Sequence, residues 1–230
     1  MLVSMRINQF LAHFGGFSRR KADTAITEGR VKINDRPASI GQDVNLTDSV
    51  SVDDKVIAPK AYTYVLFHKP IGYVTSREHQ GEDPIIYDVL PEKYRALKPI
   101  GRLDKDTSGL LLLTNDGALS EALAHPRSQK TKTYRTRLNT VLDASTMARI
   151  QEPGIILDDG ISQMSVRSLA LVKPLYEIKL AEGRNRQIRR TFEALKIQVK
   201  TLHRTEFGPY QLGDLPKGKY RELDSPLVMQ

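Results

Sequence analysis

The chain has 230 residues, 40% of them hydrophobic, no cysteine and a formal net charge of +8. That length and apolar content call for a packed core, in one large domain or a large one plus a small one, and exclude wholesale disorder. No apolar run approaches the roughly 18 residues of a membrane span, Met1–Phe10 lacks a signal-peptide apolar stretch, and the missing cysteines exclude disulfides and thiolate metal sites, so the expectation is a cytoplasmic protein with no membrane partner.

In chain order, Ile7, Phe10, Leu11 and Phe14 recur at helical spacing, and Gly15-Gly16 ends that first helix. Ser18 is a good N-cap for a second helix, with Ala22, Ala25 and Ile26 inward and Gly29 closing it. Val31/Ile33 and Val50/Val52 alternate as short half-covered strands, with a turn at Asn34-Asp35. Residues 58–63, APKAYT, read as a linker. From Tyr64, "YVLFHKPIGYVTS" reads as an apolar strand stopped by Pro70, a Gly turn and a second strand. "GLLLLTND" is a buried strand and "GALSEALAHP" a short helix. "KTYRTRL" alternates, and Asp143 caps a helix that runs toward Pro153. "SVRSLALV" and "LYEIKLA" are strands. "GRNRQIRRTFEAL" turns into a helix with Ile188, Phe192 and Leu195 inward, and "QVKTLHR" and "GKYREL" are late strands. Strands dominate without strict βαβ alternation, which predicts an α+β fold with a mixed, mostly antiparallel sheet.

The positive charge is clustered. Residues 6–36 hold seven Lys/Arg against three Asp/Glu, residues 127–137 hold five against none, and residues 182–204 hold seven against two. Three separated clusters suit a surface that follows a folded polyanion, and phosphate contacts make such binding salt-dependent. Arg19, Arg20 and Lys21 open the second helix, where the dipole and free N–H groups already favour phosphate. Lys32 and Arg36 follow on the adjacent hairpin, and Lys132 lies in the second cluster.

Against that background "GRLDKDTSGLLLLTND", residues 101–116, puts Asp104 and Asp106 beside Arg102 and Lys105 at the entrance to a buried strand. A carboxylate fixed at a sheet edge and kept ionised by guanidinium groups can act as nucleophile or general base. By residue type alone, a solvated ion pair is an equal reading.

"MRINQFLAHFGGFSRRKADTAITEGRVKINDRPA" resembles the S4-like RNA-binding domain over residues 5–52. "PIGRLDKDTSGLLLLTNDG", with "HKPIGYVTS" before it and "EGRNRQIRR" after it, resembles the ordered motifs of the Rsu family of bacterial ribosomal-RNA pseudouridine synthases. The resemblance implies a small S4-like domain over 1–59 and a catalytic domain over 60–230. It implies isomerisation of a uridine in ribosomal RNA to pseudouridine, by a monomer that needs no cofactor and no metal. By motif position Asp104 is the nucleophile, Tyr134 stacks on the target base, and Arg189 pairs with the aspartate. Leu202 lines the uracil pocket, while Arg102 and Arg186 contact the substrate. Asp106 is read as a turn or capping residue. The alternative is an RNA-binding ribosome-assembly factor on the same fold without essential catalysis. Whether the target lies in small- or large-subunit RNA is open at this stage.

Overall fold

Ile7, Phe10, Leu11 and Phe14 share one buried helix face, and around it the N-terminal elements assemble. The computed structural model describes residues 4–58, 62–79, 81–124, 130–170 and 172–224. The chain divides into two units, Met1–Tyr62 and Thr63–Gln230. Linker positions 59–61, Arg127 of the second basic cluster and His125 lie outside the described residues.

In the first unit, β1 (Ser4–Arg6) leads into α1 (Ile7–Phe14), followed by α2 (Arg19–Thr27). Ser18 caps α2, its Oγ accepting the Lys21 N–H at 3.2 Å, as its side chain and extended backbone require. Then come β2 (Val31–Ile33), β3 (Arg36–Pro37), β4 (Asp43–Asn45), β5 (Val50–Val52) and β6 (Lys55–Ile57). Four of them form a sheet ordered β3-β2-β5-β6, while β1 pairs with β4. Asn34 and Asp35 turn the chain between β2 and β3 at φ +49° and +63°, a conformation their short polar side chains tolerate. Val31, Ile33, Val50 and Val52 meet the helices' apolar faces in one core.

The second unit is built on a nine-stranded sheet. Its elements are β7 (Tyr64–Lys69), β8 (Lys98–Ile100), β9 (Ser108–Thr114), α3 (Gly117–Ala124), β10 (Lys132–Leu138) and α4 (Ala144–Gln151). After the hairpin of β11 (Ile155–Leu157) and β12 (Gly160–Ser162) come β13 (Ser165–Ser168), β14 (Leu175–Leu180), α5 (Gln187–Ala194), β15 (Val199–Phe207), β16 (Tyr210–Gln211) and β17 (Tyr220–Leu223). The main order is β13-β14-β10-β15-β9-β7-β17, with β8 added to β9 and β16 to β15. Only β9 and β15 run parallel; the other pairings in this sheet are antiparallel.

The leucine run of β9 is explained by this order. Leu111 and Leu113 enter the main core with Phe67, Ile86 and Tyr94, whereas Leu110 and Leu112 enter a second core with Leu66, Ile100, Phe207 and Tyr210. A central strand covered on both faces has no polar side to alternate with. Each of these leucines contributes roughly 1.5–3 kcal/mol of burial. Gly109 is required where β9 meets β15: at φ +117° a Cβ there would stand 2.2 Å from the Arg204 carbonyl oxygen.

Two sequence expectations change, and one element is added. No second strand follows the Gly72 turn; Val74 makes a single bridge to Ile85, and its loop is instead held by neighbouring backbone. The strand expected over "SVRSLALV" covers only β13. The β11–β12 hairpin, with Gly154 before it and Gly160 opening β12, is too short for a clear period and carries no expectation from sequence.

Candidate active site

The loop from Gly101 to Thr107 joins β8 to β9, and the "HKPIGYVTS" segment fixes it from below. Thr75 Oγ1 donates to the Leu103 carbonyl at 2.7 Å, and Gly72 N–H donates to the Lys105 carbonyl at 2.7 Å. Lys69, at the end of β7, is completely buried. Its ammonium donates to the carbonyls of Pro70 (3.1 Å), Asp104 (2.9 Å) and Thr107 (2.9 Å). All three ammonium protons are thus used on the loop backbone. Burial pushes the Lys69 pKa down to about 8, with the Asp104 and Asp106 charges opposing the shift.

The other wall comes from α5 and its entry. Arg186 is the N-cap residue in the left-handed region, φ +45°, a conformation that costs on the order of 1–3 kcal/mol for a non-glycine residue. Its guanidinium is bidentate on Asp106, Nη1 to Oδ1 and Nη2 to Oδ2 both at 3.1 Å, and Nη1 also stands 3.5 Å from Asp104 Oδ2. Arg189 Nε lies 3.1 Å from Asp106 Oδ2 without hydrogen-bond alignment, while its Nη2 donates to the Asp106 carbonyl at 2.9 Å. Burial lowers the Arg189 pKa and Asp106 opposes the fall. For Asp106 burial acts to raise the pKa, but the Arg186 hydrogen bonds and the Arg189 charge outweigh it and hold the carboxyl below its ordinary value.

Behind these residues, buried Gln187 and Thr191 of α5 meet buried Ser162 of β12: Thr191 Oγ1 donates to Ser162 Oγ at 2.8 Å and Gln187 Nε2 at 3.1 Å. Ile188 and Phe192 fill the main core.

A cavity of about 490 Å³ opens between the loop, α5 and strands β10, β14 and β15. Six of the residues expected to react with or bind the substrate line it: Arg102, Asp104, Tyr134, Arg186, Arg189 and Leu202. Lys132 does too. Tyr134 sits on β10 opposite Arg204 of β15, and Thr136 opposite Leu202, so the sheet register sets tyrosine and leucine on one face. The Asp104 side chain is one-third exposed there. Lys132 donates weakly to the Lys130, Ala181 and Glu182 carbonyls, and burial lowers its pKa.

Arg204 and Lys69 were not singled out from sequence. Arg204 is 2% exposed, donates from Nε to the Leu110 carbonyl at 2.8 Å, and leaves Nη2 without a partner. No carboxylate reaches it among the described residues. Its strand position looked like any alternating residue, and only the pairing of β15 with β9 buries it. Lys69 lay inside a quoted motif, but nothing local marks a lysine as the anchor of a loop 35 residues on.

One expected partnership is corrected: Arg189 pairs with Asp106 rather than Asp104, and the cation nearest the Asp104 carboxylate is Arg186. Asp106 stands, as expected, in a turn, closed by the Thr107 N–H donating to the Asp104 carbonyl at 3.0 Å, and its carboxylate in addition faces both arginines. Arg190, on the same helix, turns away and binds Asp158 and Asp159 of the β11–β12 hairpin. In the first unit Arg19, Arg20 and Lys21 are exposed and make no ion pair among the described residues, whereas Lys32 is 2.7 Å from Asp54.

The RNA pseudouridylate synthase family model matches residues 63–194 and the S4 domain model residues 5–50. An RNA pseudouridine synthase of Aquifex aeolicus is 38% identical, covering 100% of this chain and 94% of that protein. The ribosomal large subunit pseudouridine synthase B of Bacillus subtilis is 35% identical, covering 95% and 91%. A crystal structure of a pseudouridylate synthase superposes with TM-score 0.67 at 29% identity, over 95% of this chain and 96% of that one. An aspartate and two arginines around one nucleoside-sized cavity, in a chain that also carries an S4 domain, agree with these likenesses: the chain belongs to the RNA pseudouridylate synthase family.

Proposed function

We propose that this enzyme converts one uridine of ribosomal RNA, in the large subunit, to pseudouridine, acting as a monomer in the cytoplasm where ribosomes assemble. The support for the substrate is the likeness, over 95% of this chain and 91% of that protein, to a Bacillus subtilis synthase named for the ribosomal large subunit. The chemistry is supported by one observation above all: Asp104, Tyr134, Leu202 and the Arg186–Arg189 pair converge on a single cavity.

The reaction breaks the N1–C1′ glycosidic bond, turns the uracil, and joins C5 to C1′. The C5 proton leaves and N1 gains one, so the product is an isomer of the substrate. Asp104 is the nucleophile, its carboxylate facing the cavity with Arg186 at its edge. Tyr134 offers a ring face to the extruded base, and Leu202 closes the apolar side of the slot. Exposed Arg102, half-buried Lys132 and buried Arg204, all lining the cavity, supply positive charge for the backbone of a nucleotide drawn out of its helix. Extrusion costs a few kcal/mol, which binding of the surrounding phosphates supplies. In the first unit, Arg19, Arg20, Lys21 and Lys32 bind RNA; Lys32 must share itself with Asp54.

The test is Asp104→Asn. Pseudouridine formation on unmodified ribosomal RNA, read by carbodiimide primer extension, is expected to fall by about 10³-fold or more. RNA affinity stays equal or rises because a negative charge is removed. Conversion at the normal rate would refute Asp104 as the nucleophile; an unsubstituted protein that binds ribosomal RNA without forming pseudouridine would leave an RNA-binding assembly factor.

A further inference from the structure

The turn that supports the catalytic loop carries two large apolar side chains that no core accounts for. Ile71 is 58% exposed, and Tyr73 is half-buried. Neither belongs to the three apolar clusters of the described residues or packs against one of them. A single exposed isoleucine is ordinary on a protein surface. This pair differs because its backbone is pinned on both sides. The Lys69 ammonium donates to the Pro70 carbonyl, Gly72 N–H to Lys105, Val74 N–H to Pro84 at 2.8 Å, and Thr75 Oγ1 to Leu103. Bond lengths along the Gly72–Lys105 hydrogen bond place the Cα atoms of Ile71 and Asp104 no more than about 11 Å apart. Arg77, in the same segment, and Arg102, which lines the cavity, are exposed and make no ion pair among the described residues.

We propose that Ile71 and Tyr73 form a nucleobase platform, which packs against the base adjoining the target uridine while that uridine occupies the cavity. The inference rests on the proposed function in one respect, that an RNA nucleotide is drawn into the cavity beside Asp104. When a uridine leaves a helix, the neighbouring base loses its stacking partner and is left with a bare face. Aromatic and apolar side chains cover such a face without reading its identity, because every base has one. The separation from Asp104 suits a base next to the one in the cavity. The turn is already ordered by its hydrogen bonds, so contact costs little further conformational freedom. Uncommitted Arg77 and Arg102 suit the phosphates of the same strand, which favours RNA over a protein as the occupant.

The test is a cycle of substitutions in protein and RNA, using the full chain and a ribosomal-RNA fragment around the uridine it modifies. Ile71→Ser combined with Tyr73→Ser is expected to weaken equilibrium binding of the intact fragment about tenfold or more. Two further fragments are made abasic immediately 5′ or 3′ of the uridine. One of them should bind the unsubstituted and the doubly substituted protein within about threefold of each other, because the contacted base is gone. Ile71→Ser alone, at an exposed position outside the core, should show the same pattern to a smaller degree. A pair with only a structural role would lower the melting temperature and weaken all three fragments alike. Undiminished binding of the intact fragment, or an equal loss on all three, overturns the proposal; the first result leaves the pair to a protein partner. Binding is read without chemistry, so the two readings fail separately. Normal conversion by Asp104→Asn removes the nucleophile assignment and leaves the cycle unaltered, whereas a failed cycle leaves Asp104→Asn inactive.

Discussion

Lys69 is fully buried in the catalytic unit. A buried ammonium is costly unless its protons are used, and here three carbonyls use them. The lysine thus ties the end of β7 to the backbone on either side of Lys105 and Asp106, and so sets where Asp104 stands. Its two anionic neighbours offset part of the desolvation. Lys69→Met preserves length and apolar packing but takes the ammonium donor from all three carbonyls, leaving that of Asp104 with the Thr107 N–H. The expected loss is about 3 kcal/mol of stability, read as a lower urea midpoint at unchanged slope, together with reduced activity. Its position before Pro70 is visible in sequence. Its role is not, because the carbonyls it serves belong to a loop brought near only by the β7–β9 pairing.

At the scale of elements, α5 does two jobs with two faces. Ile188 and Phe192 seat it in the core, and Arg186 and Arg189 face the cavity, as helical spacing anticipates. The helix is also keyed to the β11–β12 hairpin, by Ser162 below and by Arg184 and Arg190 on Asp158 and Asp159 at the rim. The rim pairs are exposed on their acidic side and contribute little singly. The buried Ser162 link matters more. Ser162→Ala leaves the buried Gln187 amide N–H without its partner, while the Thr191 hydroxyl keeps only the Gln187 carbonyl. We expect it to cost roughly 1–3 kcal/mol by denaturant melts and to lower kcat through a displaced Arg186–Arg189 pair, with smaller effect on RNA affinity. The hairpin was missed because three-residue strands carry too little pattern to read.

For the whole molecule, the relevant quantity is the distribution of +8 charges over two units. Arg19, Arg20 and Lys21 are solvent-facing, uncommitted to carboxylates, and set at the N-terminus of a capped helix. The triple replacement by alanine should weaken binding of ribosomal RNA and flatten the dependence of log K on log salt by about 2–3, if each cation neutralises one phosphate. Turnover at saturating RNA should be preserved, since none of the three lines the catalytic cavity. Equal salt slopes for the variant and the unsubstituted protein would remove this helix from the RNA surface.

Local pattern fixed much of this protein in advance. Helical apolar spacing located α1, α2 and α5; alternation located β2, β5 and β10; Ser18 and Asp143 marked helix starts; and the ordered motifs pointed to Asp104, Tyr134 and Leu202, which the tertiary structure brings to one cavity. Those signals are carried by residues within a few positions of one another. What only the folded chain decided are partnerships across long separations: which aspartate each arginine takes, which loop Lys69 anchors, and why Arg204 is buried beside Gly109. The physical reason is that charge has no period. A guanidinium binds whichever acceptor the packing of strands and helices brings within about 3 Å, and that choice is made after the core has formed.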